Sequence, residues 1–575
     1  MNSFISRITD VKERIGHWFG NIFHNQRIIL YMLLAELMFT SCIMLFTEQM
    51  NWAGKVCLII IPLSIQMMLL AAFKRPGTAF LILIPKLIFD AFQFVILVLF
   101  GSTPIAVDMF LNVATTNPKE SGELLSNIFP AIIFLILFFG FGICMAILSV
   151  RNKKALDSPY RKRVAISGLT LLIVGGLFFT AAKNINPVYI ANEDLYPYNV
   201  FYNLGFAIKK MARVKAYPQT CKDFTFNAKA DTTNHNRQIV VLILGETERA
   251  ANCGMLGYEP NNYMPLDTVA NLVAYSNMLT QSNTTHKIVP MLLSPAEASN
   301  HEIIYTSKSI VTAFAEAGFK TAFFTNQMYN GSFPAHYYNA ADYKASLKDK
   351  SMGALDHELL PYLDSLLQKE QDNNLFIILH LYGSHFSYKD RYSDEFAHFL
   401  PDKAEFISTK NKRELTNSYN NSIMSTTDLI ANVIRRIDLP DAESSLLYLS
   451  DHGEDLMDDS RHRFLHASPI PTYYQLHTPF LCWNSTKFIN NHQEKHNFAV
   501  EHKDTPLSNN IVFHTLLDMA GISTPYFKPE LSICSPLLNV GEREYLTDRD
   551  GCIKIKELPL HKFDIEKLKE KGMLN

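Results

Sequence analysis

Carboxylate and imidazole side chains follow three apolar segments of strand length, at the point where each segment ends. They are Glu246 after residues 239–244, His385 after residues 375–381, and Asp451 and His452 after residues 446–449. In an open α/β sheet the carboxyl ends of parallel strands meet at one edge, and ligands bind there. Oxygen and imidazole ligands without thiolates suit a tetrahedral zinc ion better than manganese or magnesium. The pattern therefore predicts a divalent metal site at the edge of a sheet.

Two further segments could complete such a site. One is a hydroxyl-rich loop, TQSNTTHKIVPMLLS at 280–294, and the other is RHRFLHAS, which contains His466. A hydroxyl next to a divalent cation loses its proton more easily and becomes a nucleophile. Phosphoryl transfer needs little more than that nucleophile, cationic charge on the phosphoryl oxygens and a proton donor for the leaving group.

Each of these features also has an ordinary structural explanation. Asp-His-Gly is common in turns, Glu246 can be a helix-capping carboxylate beside Arg249, and serine and threonine clusters make helix caps. His466 taken alone is more often a structural histidine than a ligand. The metal prediction depends on the joint pattern, because separate strands would otherwise place Glu, Asp and His at one edge by accident.

The elements that must position these residues alternate between strand and helix from residue 238 onward. The predicted strands are 239–244, 321–325, 375–381 and 446–449, and the predicted helices are 307–317, 353–368, 411–436 and 509–520. Such alternation predicts an α/β domain with a mostly parallel sheet between helices.

The first third of the chain has the composition of a membrane domain. Five apolar segments are each about long enough to cross a bilayer: roughly residues 28–46, 54–73, 79–100, 129–150 and 165–182. Lysine and arginine are concentrated before the first segment and in the loops at 74–75 and 151–163. By the positive-inside rule these parts face the cytoplasm, so five crossings place everything after residue 183 outside.

These patterns divide the 575 residues into four predicted parts. We expect a cytoplasmic N-terminus at 1–27, a transmembrane domain of five helices at 28–183, a connector at 184–236 and an outer catalytic domain at 237–575. Within the connector, residues 197–217 fit either a helix lying on the membrane surface or one packed on the outer domain. The net charge of −2 gives no indication of a nucleic-acid partner.

In this order, GETERAANCGMLGY, SNTTHKIVPMLLS, HLYGSHFSY and YLSDHGEDL resemble the motifs of bacterial phosphoethanolamine transferases. Members of that family are inner-membrane enzymes with five spans and an outer domain of the alkaline-phosphatase/sulfatase type. The resemblance covers nearly the whole chain. It implies a periplasmic catalytic domain and one or two bound Zn²⁺ ions.

The resemblance also implies roles for individual residues. Thr285 matches the family's nucleophile, which lies five residues before a proline, and Glu246, Asp451 and His452 match residues that bind zinc together with it. The remaining matches are His385 and His466, which correspond to histidines that contact phosphate or a second zinc, and Asn112 and Glu120, which correspond to residues proposed to hold the lipid's ethanolamine headgroup. A carboxylate opposite an ammonium makes physical sense of Glu120, although it could simply begin a helix after Pro118.

Two departures from the family pattern indicate a subfamily with a different acceptor. Gln281 and Met291 stand where lipid A enzymes have cysteines, so we expect packing to hold the nucleophile loop, with Thr284 as a rival nucleophile. The family's conserved lysine has no clear counterpart, and Asn326 and Gln327 are expected in that part of the site.

The implied reaction takes phosphoethanolamine from phosphatidylethanolamine through Thr285 to lipid A phosphate or a core sugar of the envelope glycolipid. Phosphoglycerol transfer onto a glycan or polymer is the nearest alternative, and an inactive membrane scaffold or receptor is an alternative of another class. A sulfatase is disfavoured because the nucleophile loop lacks the C/S-x-P-x-R motif. Within the third predicted span, Lys86 and Asp90 are spaced to pair on one helix face, most simply as a structural pair.

Overall fold

The computed structural model describes residues 25–48, 50–101, 104–115, 122, 128–186, 189–328, 332–348, 351, 353–404 and 407–574. The chain forms two compact units. The first contains the residues up to 106 together with 125–206, and the second contains 107–124 together with 207–575. Residues 107–115, which follow the third predicted span, therefore belong to the same unit as residues 207–574.

Apolar helices form the first unit. In chain order, the helices up to residue 220 are α1 Gln26–Thr47, α2 Trp52–Ala72, α3 Pro76–Ile82, α4 Ile84–Phe100, α5 Val107–Thr115, α6 Phe129–Arg151, α7 Ser158–Ile185, α8 Ala191–Asp194 and α9 Tyr198–Thr220. Asn or Asp side chains cap the starts of α1, α2 and α7. Helices α1, α2, α6 and α7 are each long and apolar enough to cross a membrane.

The third predicted span is broken. Helices α3 and α4 meet at a bend of 62°. Pro85 lies in the first turn of α4 and has no N–H with which to continue the hydrogen bonds of α3, so a new helix begins there. Among the described residues four helices could span a membrane singly, and the prediction of five spans holds only if the bent pair is counted as one.

The ionisable pair in this third segment is formed. Lys86 Nζ lies 2.6 Å from Asp90 Oδ2 and also donates to the Leu37 carbonyl at 2.9 Å. Asp90 accepts a second hydrogen bond from the Tyr196 hydroxyl. All these groups belong to the first unit and are buried, so the two charges satisfy each other inside the helix bundle.

The second unit is built on a seven-stranded mixed sheet with the order β3–β11–β8–β2–β7–β5–β6. Its strands are β2 Arg237–Gly245, β3 Leu272–Ala274, β5 Lys320–Thr325, β6 Tyr343–Ser346, β7 Leu375–His380, β8 Ala442–Ser450 and β11 Phe480–Asn484. Four two-stranded ladders, among the described residues, use β1 Lys229–Ala230, β4 Met278–Leu279, β9 Asp455–Leu456, β10 Phe464–Leu465, β12 Leu507–Ser508, β13 Ile522–Ser523, β14 Glu544–Leu546 and β15 Cys552–Lys554.

The sheet is less uniformly parallel than the alternation of elements predicted. Strands β8, β2, β7, β5 and β6 are parallel neighbours, whereas β11 runs antiparallel to both β8 and β3. A parallel return requires a crossover connection, usually a helix. Residues 451–479 hold only β9, β10 and a single-turn helix at Tyr473–Leu476, so the chain returns antiparallel.

Helices cover the sheet. Those after residue 220 are α10 Thr285–Leu292, α11 Ile310–Glu316, α12 Phe333–Asn339, α13 Leu360–Lys369, α14 Lys412–Ile437, α15 Tyr473–Leu476, α16 Thr486–Asn491, α17 Gln493–Glu501, α18 Ile511–Met519 and α19 Lys562–Glu570. Successive residues of β2 enter different cores: Val240 and Leu242 belong to one hydrophobic cluster, and Val241 and Ile243 to another. The sheet is thus buried on both faces, which explains the unbroken apolar run at 239–244.

Helix α9 continues from the first unit into the second. In its C-terminal half, Tyr217 is buried against Phe333 and Tyr337, and Arg213 forms an ion pair with Glu302. This half packs on the outer domain, one of the two alternatives for residues 197–217. The helix also exposes apolar side chains at Phe201, Tyr202, Ile208 and Met211.

Candidate metal centre and nucleophile

Strand register brings two predicted ligands to one level at the carboxyl end of the sheet. Gly245 pairs with Ser450 across β2 and β8, so Glu246 and Asp451 leave neighbouring strands side by side. Thr247 follows with φ of +57°, a value that costs a β-branched residue free energy. Its N–H donates to Asp451 Oδ1 at 3.2 Å, which ties the two strand ends together.

Thr285, the first residue of α10, lies within hydrogen-bonding distance of two of these ligands. Its Oγ1 is 3.2 and 3.3 Å from the carboxylate oxygens of Glu246 and 3.2 Å from His452 Nε2. His452 Nε2 in turn lies 3.7 Å from Glu246 Oε1 and 3.3 Å from Asp451 Oδ2. The structure therefore gathers into one cluster the four residues that the sequence placed on three separate segments.

The electrostatics of this cluster favour a cation. Among the described residues, Asp451 Oδ2 is buried and has no hydrogen-bond partner. Burial raises the pKa of Asp451 to about 7 and lowers the pKa of His452 well below its usual value, so the imidazole is neutral. An unpartnered buried carboxylate oxygen beside a second carboxylate and a neutral imidazole is unfavourable alone, and a divalent ion would relieve it. The residues present fit a zinc ion.

His466 extends the cluster toward solvent. One ring nitrogen of His466, one of His452 and a carboxylate oxygen of Glu246 all lie within 4.8 Å of one another, a spacing that a metal ion could bridge. His466 Nδ1 lies 3.3 Å from Glu454 Oε2, and Glu454 also accepts a hydrogen bond from Tyr388. Glu454 therefore orients the His466 ring.

His385 lies beside His466, with ring centroids 6.1 Å apart. Its Nδ1 donates to the Phe386 carbonyl at 2.7 Å, so proton exchange with a substrate is expected at Nε2. The ring stacks on Tyr382 at 5.2 Å, and the cations of Lys348 and Arg391 lie 3.9 Å and 4.1 Å from the Tyr382 ring centroid. The sequence analysis assigned no role to these three residues, although Tyr382 belongs to the HLYGSHFSY motif.

Polar contacts as well as packing hold the nucleophile loop. Asn283 donates to the Ser468 carbonyl at 2.7 Å and to Gln475 Oε1 at 2.6 Å, and accepts from Tyr545 at 2.7 Å. Met291, which replaces a cysteine of the family pattern, is buried in the core. At the other cysteine position, the Gln281 carbonyl accepts the Leu546 N–H at 2.8 Å. These interactions restrain the loop without a disulfide.

The two threonines of the loop have different surroundings. Thr284 is the N-cap of α10 and is 1% exposed, and its hydroxyl lies 3.4 Å from Ser282 Oγ. Thr285 faces Glu246 and His452 instead. The geometry therefore favours Thr285 over Thr284 as the nucleophile.

Asn326 and Gln327 take different directions. Gln327 Nε2 donates to Glu246 Oε2 at 3.1 Å and to the Leu381 carbonyl at 2.8 Å, so this side chain borders the candidate metal centre. Asn326 is buried and donates to the Ala354 carbonyl at 3.0 Å and to Asp356 at 2.8 Å. Its side chain braces a neighbouring loop, so of the two only Gln327 contacts a predicted ligand.

Of the two predicted headgroup residues, Asn112 lies within the described part of the chain. Asn112 is half-buried on α5, which belongs to the second unit together with the nucleophile. Glu120 lies outside the described residues.

Two family models match this chain. One, described as Phosphoethanolamine transferase EptA/EptB, matches residues 62–213, and the other, described as Sulfatase, matches residues 238–522. The second match begins at the start of β2, the strand that leads to Glu246.

Three proteins illustrate the similarity. The chain is 25% identical over 448 residues to phosphoethanolamine transferase EptC of Escherichia coli O18:K1:H7, covering 73% of this chain and 76% of the relative. It is 26% identical over 315 residues to the Kdo(2)-lipid A phosphoethanolamine 7''-transferase of E. coli K12, covering 53% and 54%. The integral membrane lipooligosaccharide phosphoethanolamine transferase A of Neisseria meningitidis shares the fold, with TM-score 0.65, 19% identity, and coverage of 90% of this chain and 97% of that one.

Proposed function

This chain belongs to the phosphoethanolamine transferases, and from that premise we propose that it moves phosphoethanolamine from phosphatidylethanolamine, through Thr285, to an envelope glycolipid. The observation that carries the proposal is the position of Thr285 Oγ1, which is 3.2 Å from both a Glu246 oxygen and His452 Nε2. The protein is an enzyme of the bacterial inner membrane with its catalytic domain in the periplasm. There it can reach two lipids at the membrane surface.

We propose that Glu246, Thr285, Asp451 and His452 hold a Zn²⁺ ion. When bound, the ion lowers the pKa of the threonine hydroxyl and stabilises negative charge on the phosphoryl oxygens. The buried Asp451 Oδ2, which otherwise lacks a partner among the described residues, is the chain's own support for that assignment. His466, with a ligand atom in the same 4.8 Å set, is available to a second ion.

In the first step Thr285 loses its hydroxyl proton to solvent and Oγ1 attacks the phosphorus of the donor lipid. A bond forms between Oγ1 and phosphorus, the bond from phosphorus to the diacylglycerol oxygen breaks, and phosphoethanolamine stays on Thr285. The diacylglycerol oxygen takes a proton from His385 or His466. His385 Nδ1 donates to the Phe386 carbonyl and His466 Nδ1 lies near Glu454, so a neighbouring group orients each ring.

In the second step an oxygen of the acceptor attacks the same phosphorus. The bond from phosphorus to Thr285 Oγ1 breaks, and Thr285 regains its proton while the acceptor gives one up. We propose a phosphate of lipid A or a sugar of the lipopolysaccharide core as the acceptor. Relatives named Kdo(2)-lipid A phosphoethanolamine 7''-transferase support this class.

Donor selection is assigned to Asn112 and Glu120. A carboxylate attracts the ammonium of ethanolamine, whereas a glycerol headgroup offers no cation. Glu120→Gln should therefore weaken the use of phosphatidylethanolamine without loss of zinc. Unchanged turnover in this variant would refute the headgroup role and bring phosphoglycerol donors back into consideration.

The overall test is mass spectrometry of envelope glycolipids from cells with and without the protein, joined to intact-mass analysis of the purified protein with phosphatidylethanolamine. We expect a phosphoethanolamine group on the glycolipid only when the protein is present, and a transient adduct on Thr285. A phosphoglycerol adduct would identify the alternative transferase. A glycolipid that stays unmodified, with no adduct on the protein, would point to the inactive scaffold.

A further inference from the structure

The two residues that follow Thr285 on α10 take part in a buried ionic junction. Lys287, two residues after Thr285 and 2% exposed, donates from Nζ to Asp108 Oδ2 at 2.6 Å and to the Thr547 carbonyl at 2.7 Å. His286 Nε2 lies 3.1 Å from the other oxygen of Asp108. One carboxylate of α5 thus bridges two consecutive side chains of the nucleophile helix α10.

The turn between β14 and β15 completes this junction. Both oxygens of Asp548 accept backbone N–H groups at the start of α5, from Val107 and Asp108, each at 2.8 Å. In the same turn, Asp550 lies 2.7 Å from Lys210 of α9. Helices α5, α9 and α10, which are distant in sequence, therefore all contact this turn. Helix α5 contacts it through backbone N–H groups, α9 through Lys210 and α10 through Lys287.

The charges of Asp108 and Lys287 stabilise this junction. Burial alone would raise the pKa of Asp108, but the Lys287 ammonium, followed by the hydrogen bond with His286, lowers it below its usual value. Asp108 is therefore ionised at neutral pH, with Lys287 as its partner. Removing one member of a buried ion pair leaves the other charge uncompensated, so the pair resists separation.

The junction links the two groups that the transfer reaction must align. Asn112 lies one helical turn after Asp108 on α5, and Thr285 lies two residues before Lys287 on α10. A displacement of about 1 Å between a substrate-positioning group and a reacting atom can cost about 10²-fold in rate. A simple stabilising pair would not need to connect these particular helices.

We propose that Asp108, Lys287 and Asp548 form a clamp that fixes the headgroup helix α5 on the nucleophile helix α10, so that a lipid held by α5 presents its phosphorus to Thr285. Asp108 is a positioning residue in this scheme, since it acts through Asn112 and Thr285. The inference rests on the proposed function, because it concerns how that site receives its lipid donor.

The test compares two donors in full-length protein. In this scheme the reaction with phosphatidylethanolamine in nanodiscs depends on α5. Cleavage of bis(p-nitrophenyl) phosphate needs only the metal centre and Thr285, because that diester has neither lipid chains nor an ammonium group. Asp108→Asn should lower kcat/KM for the lipid by about 10- to 100-fold and change cleavage of the soluble diester by less than about 3-fold. An equal loss with both donors, or no loss with the lipid, overturns the clamp.

A structural readout keeps the clamp testable apart from catalysis. Hydrogen exchange of residues 107–115 should quicken in Asp108→Asn relative to the wild type. Unchanged exchange in that segment contradicts the proposal even if activity falls. Should the wild type form no adduct with the lipid, the proposed function fails, and exchange alone then decides whether the clamp exists.

Two variants serve as control and substitute. Glu443→Gln alters another buried carboxylate of the outer domain, at the opposite end of β8 from the candidate metal centre, and should leave the ratio of the two activities unchanged. If Asp108→Asn does not fold, Asp548→Asn replaces it, because the asparagine keeps one acceptor for the start of α5. We expect the same donor-selective loss with a smaller amplitude, and equal losses again refute the clamp.

Discussion

The two ends of strand β8 carry buried carboxylates with opposite surroundings. At its start, Glu443 accepts hydrogen bonds from Asn234 at 2.9 Å, Asn236 at 2.7 Å and Asn491 at 2.6 Å, and lies 3.0 Å from His492. Just past its end, Asp451 has one oxygen with no partner among the described residues.

The pKa values follow this difference. Burial alone would raise the pKa of Glu443, but the hydrogen bonds from Asn234, Asn491 and His492 lower it below its usual value. Burial raises the pKa of Asp451 to about 7, and this outweighs the lowering by hydrogen bonds from Thr285 and from the backbone N–H groups of His452 and Thr247. A satisfied buried carboxylate stabilises a fold, whereas an unsatisfied one beside a neutral imidazole marks a place for a cation.

The largest effect is expected at the metal-centre end of β8, from the substitution Thr285→Ala. We expect transfer to fall by at least about 10³-fold, because Thr285 Oγ1 is the atom that forms the covalent intermediate in the proposed reaction. Intact-mass analysis with phosphatidylethanolamine should show no adduct, and zinc content should fall less than in Asp451→Asn, because Thr285 supplies a hydroxyl and not a buried carboxylate. Thr284→Ala is the matched control and should retain the adduct; an adduct that persists in Thr285→Ala would show that the nucleophile is misassigned.

The next largest effect separates the two ends of β8 directly. Asp451→Asn should weaken zinc binding by about 10²-fold or more, since a charged ligand becomes a neutral amide. Glu443→Gln should bind zinc as the wild type does. Metal analysis of the two purified variants after dialysis against a weak chelator measures this, and equal zinc loss in both would remove the distinction between the two carboxylates.

A smaller effect is expected at the edge of the site. Gln327→Ala removes the hydrogen bond to Glu246 and should lower kcat by about 10-fold, as a hydrogen bond to a charged group contributes about 1.5–3 kcal/mol. Asn326→Ala is the comparison, because that side chain contacts the Ala354 carbonyl and Asp356 instead. It should reduce thermal stability more than kcat, and the reverse ranking would contradict the roles given to these two residues.

The smallest effect is a difference in pH dependence of the metal-free protein. Asp451 has a raised pKa, so the native state keeps a proton that the unfolded state has lost between about pH 4 and pH 7. This group therefore makes stability fall as pH rises through that window. Glu443 has a lowered pKa, so its contribution is present above pH 4.5 and is lost as pH falls below it.

Chemical denaturation over this pH range checks both signs. Asp451→Asn should remove the loss of stability toward neutral pH, and Glu443→Gln should flatten the loss toward acid. Identical pH profiles for the wild type and Asp451→Asn would mean that burial does not hold the pKa of this carboxyl group above its usual value.

Much of the fold was predictable because its signals are local. The unbroken apolar run at 239–244 and the period of the helix at 411–436 are properties of neighbouring residues, and the structure has β2 Arg237–Gly245 and α14 Lys412–Ile437. Two features went beyond those predictions. The bend between α3 and α4 falls at Pro85, and a hydropathy pattern does not register it because both halves are apolar. The antiparallel β11 depends on how the chain returns to the sheet, which periodicity does not encode.

The order of residue types alone specifies the chemistry available: carboxylates and imidazoles directly after apolar strands, a hydroxyl loop, and apolar segments that define a membrane domain. Which of these groups meet depends on the folded chain. Strand register places Glu246 beside Asp451, and chain packing turns Thr285 toward Glu246 while Thr284 points away. The junction of Asp108, Lys287 and Asp548 joins residues more than 400 positions apart at its extremes. No local pattern can specify such contacts, since hydrogen bonds and ion pairs act over a few ångströms in space regardless of separation along the chain.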